Sequence, residues 1–186
     1  MSLLGFCEWL ATTSGSVALH SSIYVYSIVS TIHVVSLALF VGTAAMISLR
    51  LVGATLRRVS VSEVVARLRP WTTAGFLLML ASGALLFYAN PVPRYQSLFF
   101  RIKMAMIVLA GVNVWVFQRT AFRSVTEWDR DPVPPLIARV TGGVALVLWA
   151  AIITSGRMIA YDWFDCRRQP QSAIVNVLAG CVTDPR

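Results

Sequence analysis

Four ionisable side chains that could bind a ligand lie within apolar stretches of this sequence: His33, Arg101, Lys103 and Arg157. An ionisable group inside a lipid bilayer is costly unless it is paired or solvated, so each of these residues is a candidate for function. His33 stands in the run STIHVVSLALFVG, and a neutral imidazole nitrogen binds iron, copper and other transition metals. The lysine and the two arginines are suited to binding carboxylates.

The elements that carry these residues are predicted to be membrane-spanning helices. Of the 186 residues, 57% are hydrophobic and only 13% are charged, and the mean hydropathy is +0.71, which indicates an integral membrane protein. A bilayer core of about 30 Å needs about 20 apolar residues of helix. Four stretches qualify: residues 23–49, 71–89, 98–117 and 140–161. We predict an all-α four-helix transmembrane bundle over residues 23–161, between an N-terminal segment (1–22) and a C-terminal tail (162–186).

The net charge of +8 does not require a nucleic-acid partner, because the basic residues lie where membrane topology would place them. Lysine and arginine are enriched in the cytoplasmic loops of membrane proteins. Two of the predicted loops are rich in arginine: Arg50, Arg57, Arg58, Arg67 and Arg69 in the first, and Arg119, Arg123, Arg130 and Arg139 in the second. We therefore predict a multi-pass protein of the bacterial inner membrane, with both termini and the loop NPVPRYQS in the periplasm.

Three shorter segments are predicted to form amphipathic helices on the membrane surface. They are LLGFCEWLA near the N-terminus, VSVSEVVARLRPW in the first cytoplasmic loop, and SAIVNVLAGC in the tail. We expect Pro70 to end the loop helix, because proline removes a hydrogen bond from a helix interior. The tail segment is expected to cover the periplasmic mouth of the bundle.

The three cysteines, Cys7, Cys166 and Cys181, all fall on the predicted periplasmic side. Disulfides form in that oxidising compartment. A pairing of Cys166 with Cys181 is the simplest, but Cys7 could compete for either partner, so the pairing stays open.

The depths of the ionisable residues are suited to a haem. His33 is ten residues beyond Ile23, roughly 15 Å into its helix at about 1.5 Å rise per residue. By the same rise, Lys103 and Arg157 lie about 6 to 8 Å inside the periplasmic ends of their helices, and Arg101 is shallower. A b-type haem needs an imidazole for its iron and cations near its two propionates. We predict haem b bound through His33, with Lys103, Arg157 and Arg101 near the propionates.

The second axial ligand of the iron stays open. A methionine would serve (Met79, Met104 or Met106), as would His33 of a second copy in a homodimer. His20 is expected at the surface and is a less favoured ligand. The same methionines with His33 would suit Cu(I), which prefers thioether and imidazole ligands, so copper binding or transport is an alternative function.

A purely structural role is a further alternative. A transmembrane histidine can hydrogen-bond across a helix interface, here to Asn113 or a serine, and cations near helix ends can extend to lipid headgroups. The protein would then be a non-catalytic membrane subunit. Hydrolytic chemistry is not expected, because all eight acidic residues lie outside the predicted spans.

The four spans also resemble known proteins. The segments IHVVSLALFVGTAAMISLRLVG, RPWTTAGFLLMLASGALLFYA, FFRIKMAMIVLAGVNVWVFQR and RVTGGVALVLWAAIITSGRMIAY resemble an uncharacterised family of bacterial four-helix membrane proteins over residues 20–162. The second and third helices are similar to the membrane domain of the copper-resistance protein D group and, more distantly, to the J-type protoporphyrinogen oxidase. These likenesses imply copper handling, or haem bound by a transmembrane histidine, with His33 as ligand and Lys103 in support.

The function predicted from these observations is that of a membrane cytochrome. It would transfer electrons between a membrane donor such as a quinol and a periplasmic redox partner. Besides the lipid bilayer, a second copy or a larger membrane complex is an expected partner. Whether the protein is an enzyme stays open.

Overall fold

The computed structural model describes residues 2–161, 163–167 and 169–181, which form nine α-helices. These are α1 Leu3–Thr12, α2 Ser14–Ser21, α3 Ile23–Val52, α4 Val61–Ala89, α5 Pro91–Tyr95, α6 Leu98–Arg119, α7 Val125–Trp128, α8 Leu136–Met158 and α9 Ala173–Ala179. Over the same residues there is no β-strand, and one isolated bridge pairs Ser97 with Asp165. The predicted all-α helical bundle is confirmed.

Four of these helices, α3, α4, α6 and α8, are long and apolar enough to cross a membrane. With the short helical turns that follow α6 and α8, the candidate spans are Ile23–Val52, Val61–Ala89, Leu98–Trp128 and Leu136–Tyr161. The protein is therefore a membrane protein, and its environment is a lipid bilayer.

The second span differs from its predicted form, because α4 continues through Pro70. The sequence suggested a surface helix that ends at Pro70 and a separate span over residues 71–89, whereas α4 is one helix over Val61–Ala89. Proline is tolerated in membrane helices when nearby side chains supply replacement hydrogen bonds. The Thr72 hydroxyl donates to the Leu68 carbonyl at 2.9 Å, two residues beyond the Ala66 carbonyl, to which Pro70 has no N–H to donate.

The chain divides into two compact units. We name them the loop unit (Val34–Met79 and Met106–Ala151) and the terminal unit (Met1–His33, Leu80–Ala105 and Ile152–Arg186). The loop unit has an apolar core in which the ends of α3, α6 and α8 meet the first turn of α4 and the connector after α6. Its buried members are Leu51, Val61, Phe117, Ala121, Trp128 and Ala138.

A buried arginine joins the first connector, between α3 and α4, to the second connector, between α6 and α8. Arg50, which has no exposed surface, donates from Nε to the Val59 carbonyl at 2.8 Å and from Nη2 to the Asp131 carbonyl at 3.2 Å. Asp129 caps α4, because its carbonyl accepts from Val61 N at 3.0 Å and its carboxylate from Ser62 N at 2.7 Å. A carboxylate at a helix N-terminus is favourable.

Glycines allow close helix contacts in the loop unit. A Cβ placed on Gly142 of α8 would stand 2.9 Å from the Ser48 carbonyl oxygen and 3.0 Å from Leu51 Cβ of α3. A Cβ on the adjacent Gly143 would meet nothing within 4 Å. Small residues at such positions let membrane helices pack backbone to backbone.

The N-terminal part of the terminal unit forms two helices, where the sequence suggested a single surface segment. Helix α1 exposes Leu3, Phe6 and Trp9, whereas Cys7 is buried as a free thiol whose pKa is raised by burial and then by the Glu8 charge. Helix α2 is attached to the end of α4. Thr13 shares a hydrogen bond of 2.8 Å with the Tyr88 hydroxyl, and Ser16 donates to the Tyr88 carbonyl at 2.7 Å.

The C-terminal tail returns to the start of α6. Leu98 N donates to the Phe164 carbonyl at 3.0 Å, next to the bridge between Ser97 and Asp165. A disulfide joins Cys166 to Cys181, which was the simplest of the pairings left open by the sequence. Between the two cysteines lies α9, capped at its N-terminus by Ser172, whose hydroxyl accepts from Val175 N.

Candidate functional site

The imidazole of His33 is held where α3 meets α4. Its Nδ1 lies 3.1 Å from the Ser82 hydroxyl, and the ring is partly buried. A Cβ on Gly83 would stand 3.1 Å from the ring carbon Cε1, so the ring rests against α4 at a position that has no side chain. These two contacts fix the orientation of the His33 side chain. In the tautomer that carries its proton on Nδ1, the ring would donate to Ser82 and Nε2 would have the lone pair that a metal ion uses.

Asn113, considered from sequence as a partner for His33, is engaged elsewhere. Its Nδ2 donates to the Thr141 carbonyl at 2.9 Å, within the loop unit. Of the two partners considered from sequence, Asn113 or a serine, the one that His33 contacts is a serine. Ser82 and His33 lie at similar depth, seven residues before the end of α4 and ten after the start of α3. Depth counting from both helix ends was the sequence signal that could have found this pair.

Lys103 is a partly buried cation inside the third span. Its Nζ lies 3.4 Å from the place where a Cβ on Gly156 of α8 would stand, so the lysine stem packs against a helix that has no side chain there. Among the residues that the structure describes, none accepts a hydrogen bond from this ammonium group. Arg94 is a like charge in its surroundings. An anionic group would therefore be stabilised beside Lys103.

Arg101 holds the C-terminal tail. Its Nε donates to the Tyr95 carbonyl at 3.0 Å and its Nη1 to the Leu178 carbonyl at 2.8 Å, while the guanidinium lies 4.5 Å from the centre of the Tyr95 ring. A Cβ on Gly180 would stand 2.6 Å from Nη2, so a larger residue there would displace the guanidinium, and the φ of 70° also favours glycine. Because helical residues advance by about 100° each, Arg101 and Lys103 lie on nearly opposite sides of α6.

The other residues predicted for the site have varied surroundings. Arg157 is exposed, with its guanidinium 5.4 Å from the centre of the Tyr161 ring, and His20 is exposed in the last turn of α2. Of the three methionines, Met104 belongs to the terminal unit with His33 and is 45% exposed. Met79 and Met106 belong to the loop unit, where Met79 is buried.

No cluster of three or more His, Cys, Asp or Glu side chains that could hold a metal ion occurs in the described part of the chain. A site built only from such protein ligands is therefore not seen there. His33 would therefore be a single imidazole ligand, which suits a cofactor that brings its own coordinating atoms. The residues present fit a haem in this respect, since the porphyrin supplies four of the iron ligands.

The family of the chain is shown by its sequence. Residues 6–162 match the model of a protein family described as "Family of unknown function (DUF6644)". No curated protein and no solved structure gives a significant match. The match includes the four spans and every residue discussed above for the haem or copper site. The chain therefore belongs to the DUF6644 family.

Proposed function

We propose that this protein binds a b-type haem in the bacterial inner membrane and transfers electrons between a membrane donor such as a quinol and a periplasmic partner. His33 is the axial ligand of the iron. The observation that carries the proposal is the imidazole of His33, held within a membrane span by Ser82 and by the bare backbone at Gly83. A hydrogen bond to the second ring nitrogen is the usual way in which a metal-binding histidine is oriented.

The chain supplies a cation for the propionates. Lys103 lies in the same unit as His33, in an apolar span, and its ammonium group has no acceptor among the described residues. Arg157 is in the same unit and is exposed. Arg101 is not part of the proposed site, because two of its nitrogens donate to the carbonyls of Tyr95 and Leu178. Lys103 is the main propionate partner in the proposal, and Arg157 supports it.

Bound haem would supply a one-electron couple at its iron. The protein's part is to fix the imidazole, exclude water and neutralise the propionates. A methionine (Met79, Met104 or Met106), or His33 of a second copy, would supply the second ligand of the iron. The arginines of the two connectors in the loop unit support an orientation with those connectors in the cytoplasm and the chain ends in the periplasm.

The test is the reduced-minus-oxidised visible spectrum of the full chain, purified in mild detergent from haem-replete cells. We expect a Soret and an α band that disappear in His33→Ala and remain in the matched variant His20→Ala, since His20 is exposed. Ser82→Ala should retain the bands but bind haem more weakly, because the ligand loses its orienting partner; loss of such outer partners typically weakens metal binding by about 10- to 100-fold.

Other outcomes would refute the haem proposal. A colourless native protein that retains copper, and loses it in His33→Ala, would indicate a Cu(I) carrier. A colourless protein without copper, in which His33→Ala lowers only thermal stability, would indicate that the contact with Ser82 is purely structural. Spectra unchanged by His33→Ala would move any haem to another ligand.

A further inference from the structure

Helix α9 has an apolar face that no described part of the protein covers. Ile174, Val177 and Leu178 are 71%, 78% and 52% exposed. Positions i, i+3 and i+4 lie on one side of a helix, so the three side chains form a continuous surface, which we name the α9 face. The opposite side of the helix buries Ala179 completely. In water this face would lower the solubility of the tail, so it is expected to have a partner.

The position of α9 is fixed relative to the third span. Arg101, in the first turn of α6, donates to the Leu178 carbonyl of α9. The chain before α9 is also attached there, through the bond from Leu98 N to the Phe164 carbonyl. The disulfide from Cys166 to Cys181 then closes the loop that carries the helix. The α9 face therefore lies at the level where a membrane-spanning helix begins.

Aromatic side chains mark the same level. Tyr161, Trp163 and Phe164 connect the end of the fourth span to the tail, and they are 43%, 47% and 40% exposed. Tyrosine and tryptophan concentrate where a membrane protein meets the boundary between lipid and water, since their rings are apolar and carry one polar group. The residues that lead into α9 thus have the composition of an interfacial belt.

We propose that the partner of the α9 face is the lipid bilayer itself. Helix α9 lies parallel to the membrane surface, with Ile174, Val177 and Leu178 among the upper parts of the acyl chains. A protein partner is disfavoured by size, because a stable interface buries about 800 Å² on each side and three side chains cover only part of that area. The disulfide and Arg101 hold the helix at this depth, so the tail is a surface anchor beside the start of α6.

The test is photocrosslinking of the full chain in nanodiscs of phosphatidylethanolamine and phosphatidylglycerol. p-Benzoyl-phenylalanine replaces Val177 in one variant and Arg167 in the other, which is exposed in the same tail but lies outside α9. Peptide masses under non-reducing conditions first establish that both variants contain the disulfide between Cys166 and Cys181, so that both tails are folded.

The expected result is a lipid adduct at position 177 with a yield several-fold above that at position 167. Equal yields at the two positions, or no lipid adduct at 177, would overturn the proposal. A crosslinked dimer at 177 would also overturn it and would identify a second copy as the partner. The result does not depend on haem, so it is independent of the proposed function.

Discussion

Two adjacent glycines in α8 give a sharp test of how closely α3 and α8 approach each other. The change is Gly142→Ala, with Gly143→Ala as its matched control. A Cβ at residue 142 would stand 2.9 Å from the Ser48 carbonyl oxygen, 3.0 Å from Leu51 Cβ and 3.3 Å from Val52 Cγ2. A Cβ at residue 143 would have nothing within 4 Å. The two variants therefore add the same methyl group to the same helix, one into a contact and one into open space.

The magnitude follows from two opposing effects. Alanine is favoured over glycine within a helix by about 1 kcal/mol, and this gain is common to both variants. At residue 142 the methyl group falls about half an ångström short of an ordinary van der Waals separation from a backbone oxygen, which can move only if the helices separate. Overpacking of this kind costs about 1–3 kcal/mol. We expect Gly142→Ala to be less stable than Gly143→Ala by that amount.

The assay is unfolding in mixed micelles of mild detergent and sodium dodecyl sulfate, followed by far-ultraviolet circular dichroism. The difference between the two free energies of unfolding isolates the clash, because the helix propensity cancels. Equal stabilities would refute the reasoning and show that α3 and α8 do not come this close at Ser48. A stabilised Gly143→Ala beside a destabilised Gly142→Ala would support it.

Two more predictions concern the ends of the spans. Burial alone would raise the pKa of Asp129, but hydrogen bonds from the Ser62 hydroxyl and backbone N–H, followed by the charges of Arg130 and Arg50, hold that pKa below its usual value. The ionised Asp129 therefore stabilises the fold at pH values above its unfolded pKa of about 3.9, and this stabilisation is lost as the pH falls through the lower folded pKa. The free energies of unfolding of the native protein and Asp129→Asn, measured from pH 6 to pH 3, should therefore converge in acid. Arg101→Ala should speed hydrogen exchange of the α9 amides by roughly tenfold, since a hydrogen bond from a charged donor contributes about 1.5 kcal/mol or more. The control variant Arg94→Ala should leave the exchange rates of these amides unchanged.

Much of the fold could be predicted because a bilayer imposes a simple requirement on the sequence. Any helix that crosses it must be apolar over about 20 residues, and α3, α4, α6 and α8 satisfy this by composition alone. The continuity of α4 through Pro70 could not be predicted from the proline. Proline is tolerated within membrane helices, so its position alone does not separate a kinked continuous helix from two helices.

The site was harder to predict than the fold, because the depth of a residue in the membrane does not give the side of the helix on which its side chain lies. Hydropathy places His33 in the middle of a span, but α3 is apolar on most sides and its sequence gives no direction for the imidazole. From the sequence, the partner Ser82 could therefore be anticipated only as an unspecified serine. Depth also grouped Arg101 with Lys103, although two residues along a helix place side chains on opposite sides. Their different contacts follow from that angle.

The buried guanidinium of Arg50 has a consequence for the order in which this protein is made. Its partners on the second connector, the carbonyls of Asp129 and Asp131, lie 79 and 81 residues further along the chain. While the ribosome is still synthesising the second and third spans, Arg50 has no access to those carbonyls and its charge remains in water or at lipid headgroups. Arg50 can bind the Val59 carbonyl early, but the two connectors join only after the third span has been synthesised. Assembly of the loop unit is consequently a late, post-insertion event, and a truncated nascent chain that ends before Asp129 would leave Arg50 open to water-soluble reagents.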